Sequence, residues 1–528
     1  MNYELLFDLI VSRNKLSLKM LGMVSEISKN VRAVIKKALI MVVMNKFDNN
    51  VDMNELIKAL SQYEALAHLE LKHYEIGTAE AETLASVLLQ YSKSLVHLEL
   101  CCNNMGPKEA ESLAGVLEQC SSLVRLDLCF NEFGSEGIER FTKVLNNSQC
   151  DILPLIRLDL SYTKCGLAGI ESFIEMFKNS KFYNLEYLNL GGNEIGSAGA
   201  ERLAEVLPLC PALAHIHLSN NEIKSGAEKL AQVLSQCQAL TRLDLNRNDI
   251  EGLGKLMFGI CSSLRSLDLS ENRIKPAGAV SLARLIGQCP ALNHLNLRDN
   301  TIGPEGAESL AQVIGQCTAL THLDLGYNWI ESEGAESLAQ VIGQCTALTS
   351  LDLGNNGIGG KSLAKVIGQG YNLLELSVID LSFNRIDSEG ATSLAKVLPH
   401  CIALTALNLG CNSLGPYGTQ SIAEVLPLCT ALTGLGIYNN MTGPIGAVSF
   451  AKVISKCNLT ALDLHYNRIR SEGAGRLVGA IKSCLGTLTL NLSYNMIGEK
   501  IISAFEKLES KSFKFICEED EEIAIEFD

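Results

Sequence analysis

A sixteen-residue segment occurs twice in this sequence, and that repetition constrains the fold more than any other feature. The letters GAESLAQVIGQCTALT stand at 306–321 and again at 334–349, a step of 28 residues. A looser pattern, L-x-x-L-x-L-x-x-N-x-I, recurs from Leu66 onward, mostly at the same step. Self-similarity at a fixed period indicates stacked copies of one structural unit, so the chain length does not by itself set the number of domains.

An asparagine ends the strand-like part of most copies. It is found at Asn103, Asn131, Asn193, Asn221, Asn248, Asn272, Asn300, Asn328, Asn356, Asn384, Asn412, Asn440, Asn467 and Asn495. Tyr74 and Thr163 occupy this position in two further copies, which makes sixteen repeats in all. An amide side chain both donates and accepts hydrogen bonds, so stacked asparagines are predicted to satisfy the backbone groups of neighbouring turns.

Each copy combines a strand pattern with a helix pattern. Leu-x-Leu alternation predicts a short strand with one buried face. In PEGAESLAQVIGQC, the residues Ala307, Leu310, Ala311 and Ile314 have helical spacing. Strands stack about 4.8 Å apart and helices about 8–10 Å apart, so the stack must curve with its strands inside. The sequence therefore predicts an α/β solenoid of about sixteen strand–turn–helix repeats, with a concave parallel sheet and convex helices.

This pattern resembles a known family. The 28-residue L-x-x-L-x-L-x-x-N-x-I step with a G-A-x-x-L-A helix is similar to the ribonuclease-inhibitor class of leucine-rich repeats, over roughly 66–500. The resemblance implies a horseshoe that recognises proteins and performs no chemistry. The sequence contains no P-loop, nucleophile elbow, zinc-protease motif, dinucleotide-binding loop or kinase signature. We therefore expect neither an enzyme nor a bound cofactor.

The net charge and the cysteine spacing limit the possible binding partners and the possible cellular compartment. The net charge of −15 argues against nucleic acid and anionic membranes and permits a basic protein partner. No C-x-x-C pair occurs, which disfavours a zinc ribbon. One cysteine per repeat is typical of packing in a reducing compartment. The cysteines that share one repeat position are Cys120, Cys210, Cys237, Cys261, Cys289, Cys317, Cys345, Cys401, Cys429, Cys457 and Cys484.

The first 65 residues lack the repeat. ELLFDLI and NVRAVIKKALIMVVMNKF have helical apolar spacing, so residues 1–65 are predicted to form a helical cap that covers the first repeat. Residues 4–35 also resemble a degenerate F-box without its tryptophan and its opening Leu-Pro, which leaves a ubiquitin-ligase adaptor as an alternative. The start has no small-residue cleavage site, and ALIMVVM is shorter than a membrane span. We expect a cytoplasmic protein with neither signal peptide nor membrane span.

An acidic segment follows the solenoid, which is predicted to cover 66–510. Residues 511–528 contain FICEEDEEIAIEFD, with five consecutive acids at 518–522. A frayed solubilising tail is one interpretation. The segment is also similar to the glutamate-rich C-terminal signal of Dot/Icm-type type IV secretion substrates. Beside the repeats, this similarity implies a bacterial effector that is delivered into a host cytoplasm.

Side chains beside the motif leucines and at the turns form the predicted partner-binding surface. Before the second leucine lie His68, His97, Arg125, Arg157, Tyr187, His215, Arg242, His294 and His322. This column turns from cationic or titratable to neutral near mid-array. Between the paired leucines lie His217, Asp244 and Asp324, and near the turns lie Tyr327, Trp329, Phe383, Tyr438, His465 and Tyr466.

Histidines concentrate on this surface. His215 and His217 alternate on one strand and therefore point the same way. With Asp244 on the next strand they would be a possible zinc site, but no further ligand signature accompanies them. A partner-contacting face with some pH sensitivity is the interpretation that we adopt, with no metal.

The duplicated segment isolates one position. The first copy is followed by HLDLGYNWIESE and the second by SLDLGNNGIGG, so His322, Tyr327 and Trp329 distinguish the copies. The column of Trp329, the single tryptophan, is mostly polar in other repeats, which predicts an exposed aromatic anchor. Packing of the ring over its own helix is the alternative.

Together these features predict a monomeric protein–protein interaction module, most simply an effector that binds a host protein through its concave face and rim. A cytosolic inhibitor or regulator of an enzyme or small GTPase is the second interpretation.

Overall fold

The computed structural model describes residues 40–45, 53–147, 153–252, 261–368, 374–484 and 486–518. These residues fall in two compact units, Met1–Ile250 and Glu251–Asp528. Residues 4–35, which resemble an F-box, and the acidic block from 519 onward lie outside the described residues.

The first unit contains a parallel sheet whose described strands pair in chain order. These strands are β1 (Ile40–Asn45), β2 (Leu66–Lys72), β3 (His97–Glu99), β4 (Arg125–Asp127), β5 (Arg157–Asp159), β6 (Tyr187–Asn189), β7 (His215–His217) and β8 (Arg242–Asp244). The α-helices are α1 (Met53–Leu60), α2 (Thr78–Leu89), α3 (Pro107–Leu117), α4 (Gly134–Asn147), α5 (Gly166–Lys178), α6 (Gly196–Val206) and α7 (Ala227–Val233). Short 3-10 helices cover Leu207–Leu209, Lys224–Gly226 and Leu234–Gln236.

The second unit repeats this arrangement, again with parallel pairing in chain order. Its described strands are β9 (Ser266–Asp268), β10 (His294–Asn296), β11 (His322–Asp324), β12 (Ser350–Asp352), β13 (Val378–Asp380), β14 (Ala406–Asn408), β15 (Gly434–Gly436), β16 (Ala461–Asp463), β17 (Leu488–Asn491) and β18 (Phe513–Ile516). Its α-helices are α8 (Lys275–Ile286), α9 (Gly303–Ile314), α10 (Glu331–Ala339), α11 (Gly360–Ile367), α12 (Ser388–Val397), α13 (Gly415–Val425), α14 (Gly443–Val453), α15 (Arg470–Ile481) and α16 (Glu499–Glu506). Its 3-10 helices cover Ile342–Gln344, Leu398–His400, Leu426–Leu428 and Ile454–Lys456.

The repeat period sets the register of the strands. Leu295 of β10 pairs with Leu323 of β11, one period later, and both side chains are buried. The residues on either side of each leucine point to the opposite face, because side chains alternate along a strand. Each predicted repeat has its strand, from β2 to β17, so the predicted α/β leucine-rich-repeat solenoid is confirmed.

The helices pack closely because most repeats have a glycine near the start of the helix. Ala307, Leu310, Ala311 and Ile314 are buried, as their spacing predicts. A Cβ atom added to Gly306 would lie 2.6 Å from Ile302 Cγ2 and 3.0 Å from Ala279 Cβ. Any larger residue at this position of α9 would therefore push α8 away.

The asparagines form the predicted hydrogen-bonded ladder. Asn328, for example, is fully buried. Its Nδ2 donates to the carbonyl oxygens of Leu297 (2.7 Å), Leu325 (3.0 Å) and Gly326 (3.0 Å). Its Oδ1 accepts from the backbone N–H groups of Asn300 (3.0 Å) and Ile302 (3.4 Å). One side chain thus satisfies backbone groups in two successive repeats, which the turns could not satisfy alone.

The cysteines at the shared repeat position line the core near the ends of the helices. Cys289, Cys317 and Cys345 are buried, and burial raises the pKa of the Cys345 thiol to about 12. The cysteines within the described residues form no disulfides. Their packing role therefore agrees with the interpretation drawn from their spacing.

Both ends of the array differ from the expectations. Residues 40–45, inside the segment predicted to be helical, form β1 and pair in parallel with β2. The edge of β2 offers unpaired backbone groups, and a strand satisfies them where a helix cannot. At the other end, β18 pairs with β17 within the segment predicted to be a tail, and Phe513 is buried.

The domain boundaries at 65 and 510 stay predictions. The part of the cap between 53 and 60 is helical, with Leu56 and Leu60 buried.

Among the described residues, no helix has the length and apolar character that crossing a membrane requires.

Candidate functional site

The candidate site is the strand face, by which we mean the side chains on either side of the buried middle residue of each strand, together with the residue that follows the next buried aliphatic residue. These side chains are half-buried or exposed in most repeats. They project from successive strands in register, so like positions form continuous columns. Each unit is described separately.

The first strands of the first unit carry a charged cluster. The rings of His68 and His97 lie with their centroids 4.0 Å apart. Lys72 Nζ lies 2.7 Å from a carboxylate oxygen of Glu70 and 2.6 Å from one of Glu99. Lys72 thus links two neighbouring strands. Sequence reasoning missed it because it lies beyond the columns between the leucines.

A second cluster follows on β5 to β8. The Arg157 guanidinium lies 3.5 Å above the centre of the Tyr187 ring, a cation–π contact. The Tyr187 ring centre lies 5.1 Å from that of His217, and His217 Nδ1 lies 3.2 Å from Asp244 Oδ2. Sequence reasoning predicted all four residues as partner contacts, and the structure brings them together.

The zinc alternative at this cluster gains no support from the geometry. His217 and Asp244 are paired, but His215 does not join them in a group with metal-ligand spacing. In the part of the chain that the structure describes, the single group of three clustered metal-ligating side chains lies elsewhere in the first unit.

The second unit has a different charge pattern. Arg298 reaches across β11, with its Nη1 atom 2.8 Å from Asp352 Oδ2 and 3.9 Å from Asp324 Oδ2. Its guanidinium also lies 4.4 Å from the centre of the Tyr327 ring. Burial, with the charge of Asp324, raises the pKa of Asp352 to about 6. The rings of His294 and His322 lie with centroids 5.2 Å apart at the edge of this cluster.

An apolar groove lies over β13 to β17. Its volume is about 440 Å³. The small or neutral side chains that make room for it are Val378, Ala406, Gly434, Ala461 and Thr489. Asp380 and Asp463 lie along one side, and Ile516 of β18 closes the end. In the sequence, the column before the second leucine changes to neutral residues in these repeats. That change was visible from the sequence, but it did not lead to the prediction of a cavity.

Tyr438 forms a flat wall of this groove. Its ring stacks on that of His465, with centroids 4.7 Å apart. The ring also lies over Gly410, where an added Cβ atom would be only 2.1 Å from it. Because Gly410 has no side chain, the ring of Tyr438, a predicted contact residue, can lie directly over it.

Aromatic side chains gather at the turns that follow the strands. We call Phe130, Tyr162, Tyr327, Trp329, Phe383, Tyr466 and Tyr494 the turn aromatics. In the first unit, Phe130 stacks on Tyr162 at 4.5 Å. In the second, Tyr466 stacks on Tyr494 at 4.4 Å. Trp329 is 66% exposed, so its ring does not pack over the helix that follows it.

The histidines of the first unit have pKa values below the ordinary range. Burial, reinforced by His68 and Arg125, lowers the pKa of His97 from 6.5 to about 4. Burial also lowers the pKa of His68, although Glu70 opposes the shift. Burial and His217 lower the pKa of His215. These imidazoles are therefore neutral near physiological pH, and the carboxyl of Asp352 titrates closer to it.

We expect His97 to make the first unit less stable in acid. Between about pH 6.5 and 4, the unfolded chain binds a proton at His97 that the folded chain does not, so stability falls as the pH falls through this window. Urea unfolding at about pH 7 and about pH 5 checks this. His97→Gln should lose less stability on acidification than the parent protein. Equal losses would mean that His97 titrates normally.

Comparisons with known proteins agree with this architecture. Family models described as leucine-rich repeat match residues 238–302 and also 119–141, 184–204, 316–339, 344–366, 376–395 and 455–478. A search among curated proteins found no match.

Many solved structures are similar to the chain, and two of them serve as examples. An internalin, inlF, from Listeria monocytogenes is 17% identical, with a TM-score of 0.38 over 72% of this chain and 82% of that one. A complex of TLR13 with ssRNA13 also matches at 17% identity, with a TM-score of 0.48 over 87% of this chain. The present chain spans 65% of the length of that second structure.

Proposed function

We propose that this chain, which leucine-rich-repeat models match in several segments, is a protein–protein interaction module that binds its partner through the strand face and the turn aromatics. The single observation that carries the proposal is the exposure of large aromatic side chains at the turns. Trp329 is 66% exposed, and Phe130 and Phe383 are also exposed. Aromatic rings contribute much of the binding energy at protein interfaces.

The chemistry of the face suggests what each unit contacts. In the first unit, Arg125, Arg157 and Arg242 offer cationic groups, which suit acidic or polar groups of a partner. In the second, the groove over β13 to β17 suits an apolar side chain, and Asp380 and Asp463 beside it suit an adjacent basic one. These features support binding and do not require catalysis.

Site-specific photo-crosslinking tests this proposal. A photo-reactive phenylalanine analogue is placed at Tyr187 in the first unit or at Val378 in the second. Gln312, exposed on the helix α9, is the matched control position. Incubation with host-cell lysate should then give the same cross-linked protein from one or both face positions and not from position 312. Cross-links from the helix position alone would place the binding surface on the helices.

The identity of the cross-linked protein separates the finer alternatives. A small GTPase or an enzyme would favour a regulator that acts by occlusion. A ubiquitin-ligase subunit would favour the adaptor interpretation of residues 4–35.

As a finer proposal, the chain acts as an effector, and the acidic residues after 518 carry its delivery signal. Glu518 N–H donates to Ser493 Oγ at 3.0 Å, so a clean truncation begins after this residue. Deleting 519–528 should leave the melting temperature unchanged and abolish delivery of a reporter fusion through a Dot/Icm system. Replacing the four consecutive acids at 519–522 with glutamine or asparagine separates charge from length. Undiminished delivery of the truncated fusion would refute the signal.

A further inference from the structure

Two thiols and a carboxylate converge where β3 and β4 end. Cys101 and Cys129 occupy equivalent positions in consecutive repeats, and Asp127 is the last residue of β4. Cys101 Sγ lies 2.8 Å from Asp127 Oδ1 and 2.7 Å from Cys129 Sγ. The ligand atoms of all three residues lie within 4.8 Å of one another. No other such group of histidine, cysteine and acidic side chains occurs among the described residues.

Both thiols occupy the repeat position that holds serine in several other repeats, but Cys129 has Asp127 two residues earlier whereas Cys101 has Glu99. In other repeats a serine at this position donates to the acid or amide two residues earlier, as Ser161 does to Asp159 and Ser382 does to Asp380, both at 2.6 Å. Cys129 stands in the place of such a serine. Cys101 comes from the preceding repeat and reaches the same carboxylate across the strand boundary. That second thiol creates a cluster that the serine-containing repeats do not have.

We propose that Cys101, Cys129 and Asp127 form a zinc-binding site. Zinc prefers thiolate sulfur at about 2.3 Å together with imidazole or carboxylate ligands. Two thiolates and one carboxylate match this preference better than that of magnesium or calcium, which take oxygen ligands. Three protein ligands leave one tetrahedral position for water or for a side chain of a bound protein.

The backbone around the site holds the ligands in place. The N–H group of Cys129 donates to Asp127 Oδ1 at 3.1 Å, which orients the carboxylate. The N–H group of Cys102 donates to the carbonyl oxygen of Cys129 at 3.1 Å, so the two turns are tied together. Beneath them, Asn131 Nδ2 donates to the carbonyl of Leu100 at 2.9 Å. These hydrogen bonds fix the two turns, so metal binding requires only that the ligand side chains turn apart. Two sulfurs bound at about 2.3 Å to one tetrahedral zinc lie about 3.8 Å from each other.

Cobalt and zinc titration of the full-length chain tests the proposal. The protein is purified with a phosphine reductant and without metal, and Co²⁺ is added first. We expect one Co²⁺ per chain, with the near-ultraviolet charge-transfer absorption of a cobalt–thiolate bond, and stoichiometric displacement by Zn²⁺. Cys101→Ser and Cys129→Ser should each abolish this absorption and weaken zinc binding by about 100-fold or more, and Asp127→Asn by about 10-fold.

Cys102→Ser is the matched control, because this thiol is adjacent in sequence but is not a member of the group. It should bind metal like the parent protein. Serine is already present at the position of Cys129 in other repeats, so Cys129→Ser should fold, which circular dichroism and melting check.

Three results would overturn the proposal. The first is a parent protein that binds no Co²⁺ through thiolate. The second is equal loss of binding in Cys102→Ser. The third is a Cys101–Cys129 disulfide that peptide mapping still finds in the presence of the phosphine reductant, because the two sulfurs would then not be available to bind zinc.

Discussion

Replacing Asn328 with alanine is expected to lower the free energy of unfolding of the second unit by about 4 kcal/mol, because it leaves several buried backbone groups without partners. The side chain is fully buried and makes five hydrogen bonds. Each buried group that loses its partner costs about 1–3 kcal/mol. Part of this cost is offset because water can reach the opened turn. Urea unfolding monitored by far-ultraviolet circular dichroism measures the change.

Two further variants make the test specific. Asn293, half-buried ahead of β10, is the matched asparagine control, and its change to alanine should cost less than about 1 kcal/mol. Asn328→Thr should fall between the two. At one of the two natural exceptions in the ladder, Thr163 Oγ1 still donates to the carbonyl of Leu160 at 2.8 Å. If Asn328→Ala and Asn293→Ala cost the same, the ladder contributes no special stability.

Removing the aromatic pair Tyr327 and Trp329 is expected to weaken partner binding by about 2 kcal/mol or more, roughly a 30-fold rise in Kd. Stability should change little, because Trp329 is 66% exposed and the core lies beneath the strand. Tyr327 provides a second aromatic ring beside Trp329, and the Arg298 guanidinium lies 4.4 Å from the centre of the Tyr327 ring. Calorimetry of Tyr327→Ala/Trp329→Ala against the cross-linked partner measures the loss.

Tyr417→Ala provides the control for exposed aromatic area. Tyr417 is 68% exposed on the helix α13 of the same unit, away from the strand face. Its removal should leave Kd unchanged. Because Trp329 is the single tryptophan, its fluorescence reports directly on burial, and we expect a blue shift when the partner binds. A helix variant that weakens binding as much as the aromatic pair would contradict the proposed surface.

Some features followed from the sequence because the repeat itself contains their cause. A motif leucine such as Leu295 can be buried only against the same residue of the next copy, Leu323, so the 28-residue step determined the parallel register. The asparagine ladder followed for the same reason, since one amide serves two turns. Exposure of Trp329 followed from the polar residues that fill its column in other repeats.

Other features depended on contacts that no motif encodes. Residues 40–45 have helical apolar spacing, but the unpaired edge of β2 draws them into a strand. The pKa values of His97 and Asp352 depend on burial and on charges from neighbouring strands. Their shifts cannot be read from residue type.

The strand face likewise has features that the sequence determined and features that only the tertiary structure decided. The sequence by itself determined which side chains share the strand face, because side chains alternate along a strand and the period is constant. Only the tertiary structure decided which of them meet: Arg157 on Tyr187, and Cys101 with Cys129 and Asp127. The groove over β13 to β17 likewise depends on the open space that several small side chains leave together. Such contacts are set by distances between side chains of different repeats, and these distances exist only once the repeats are stacked.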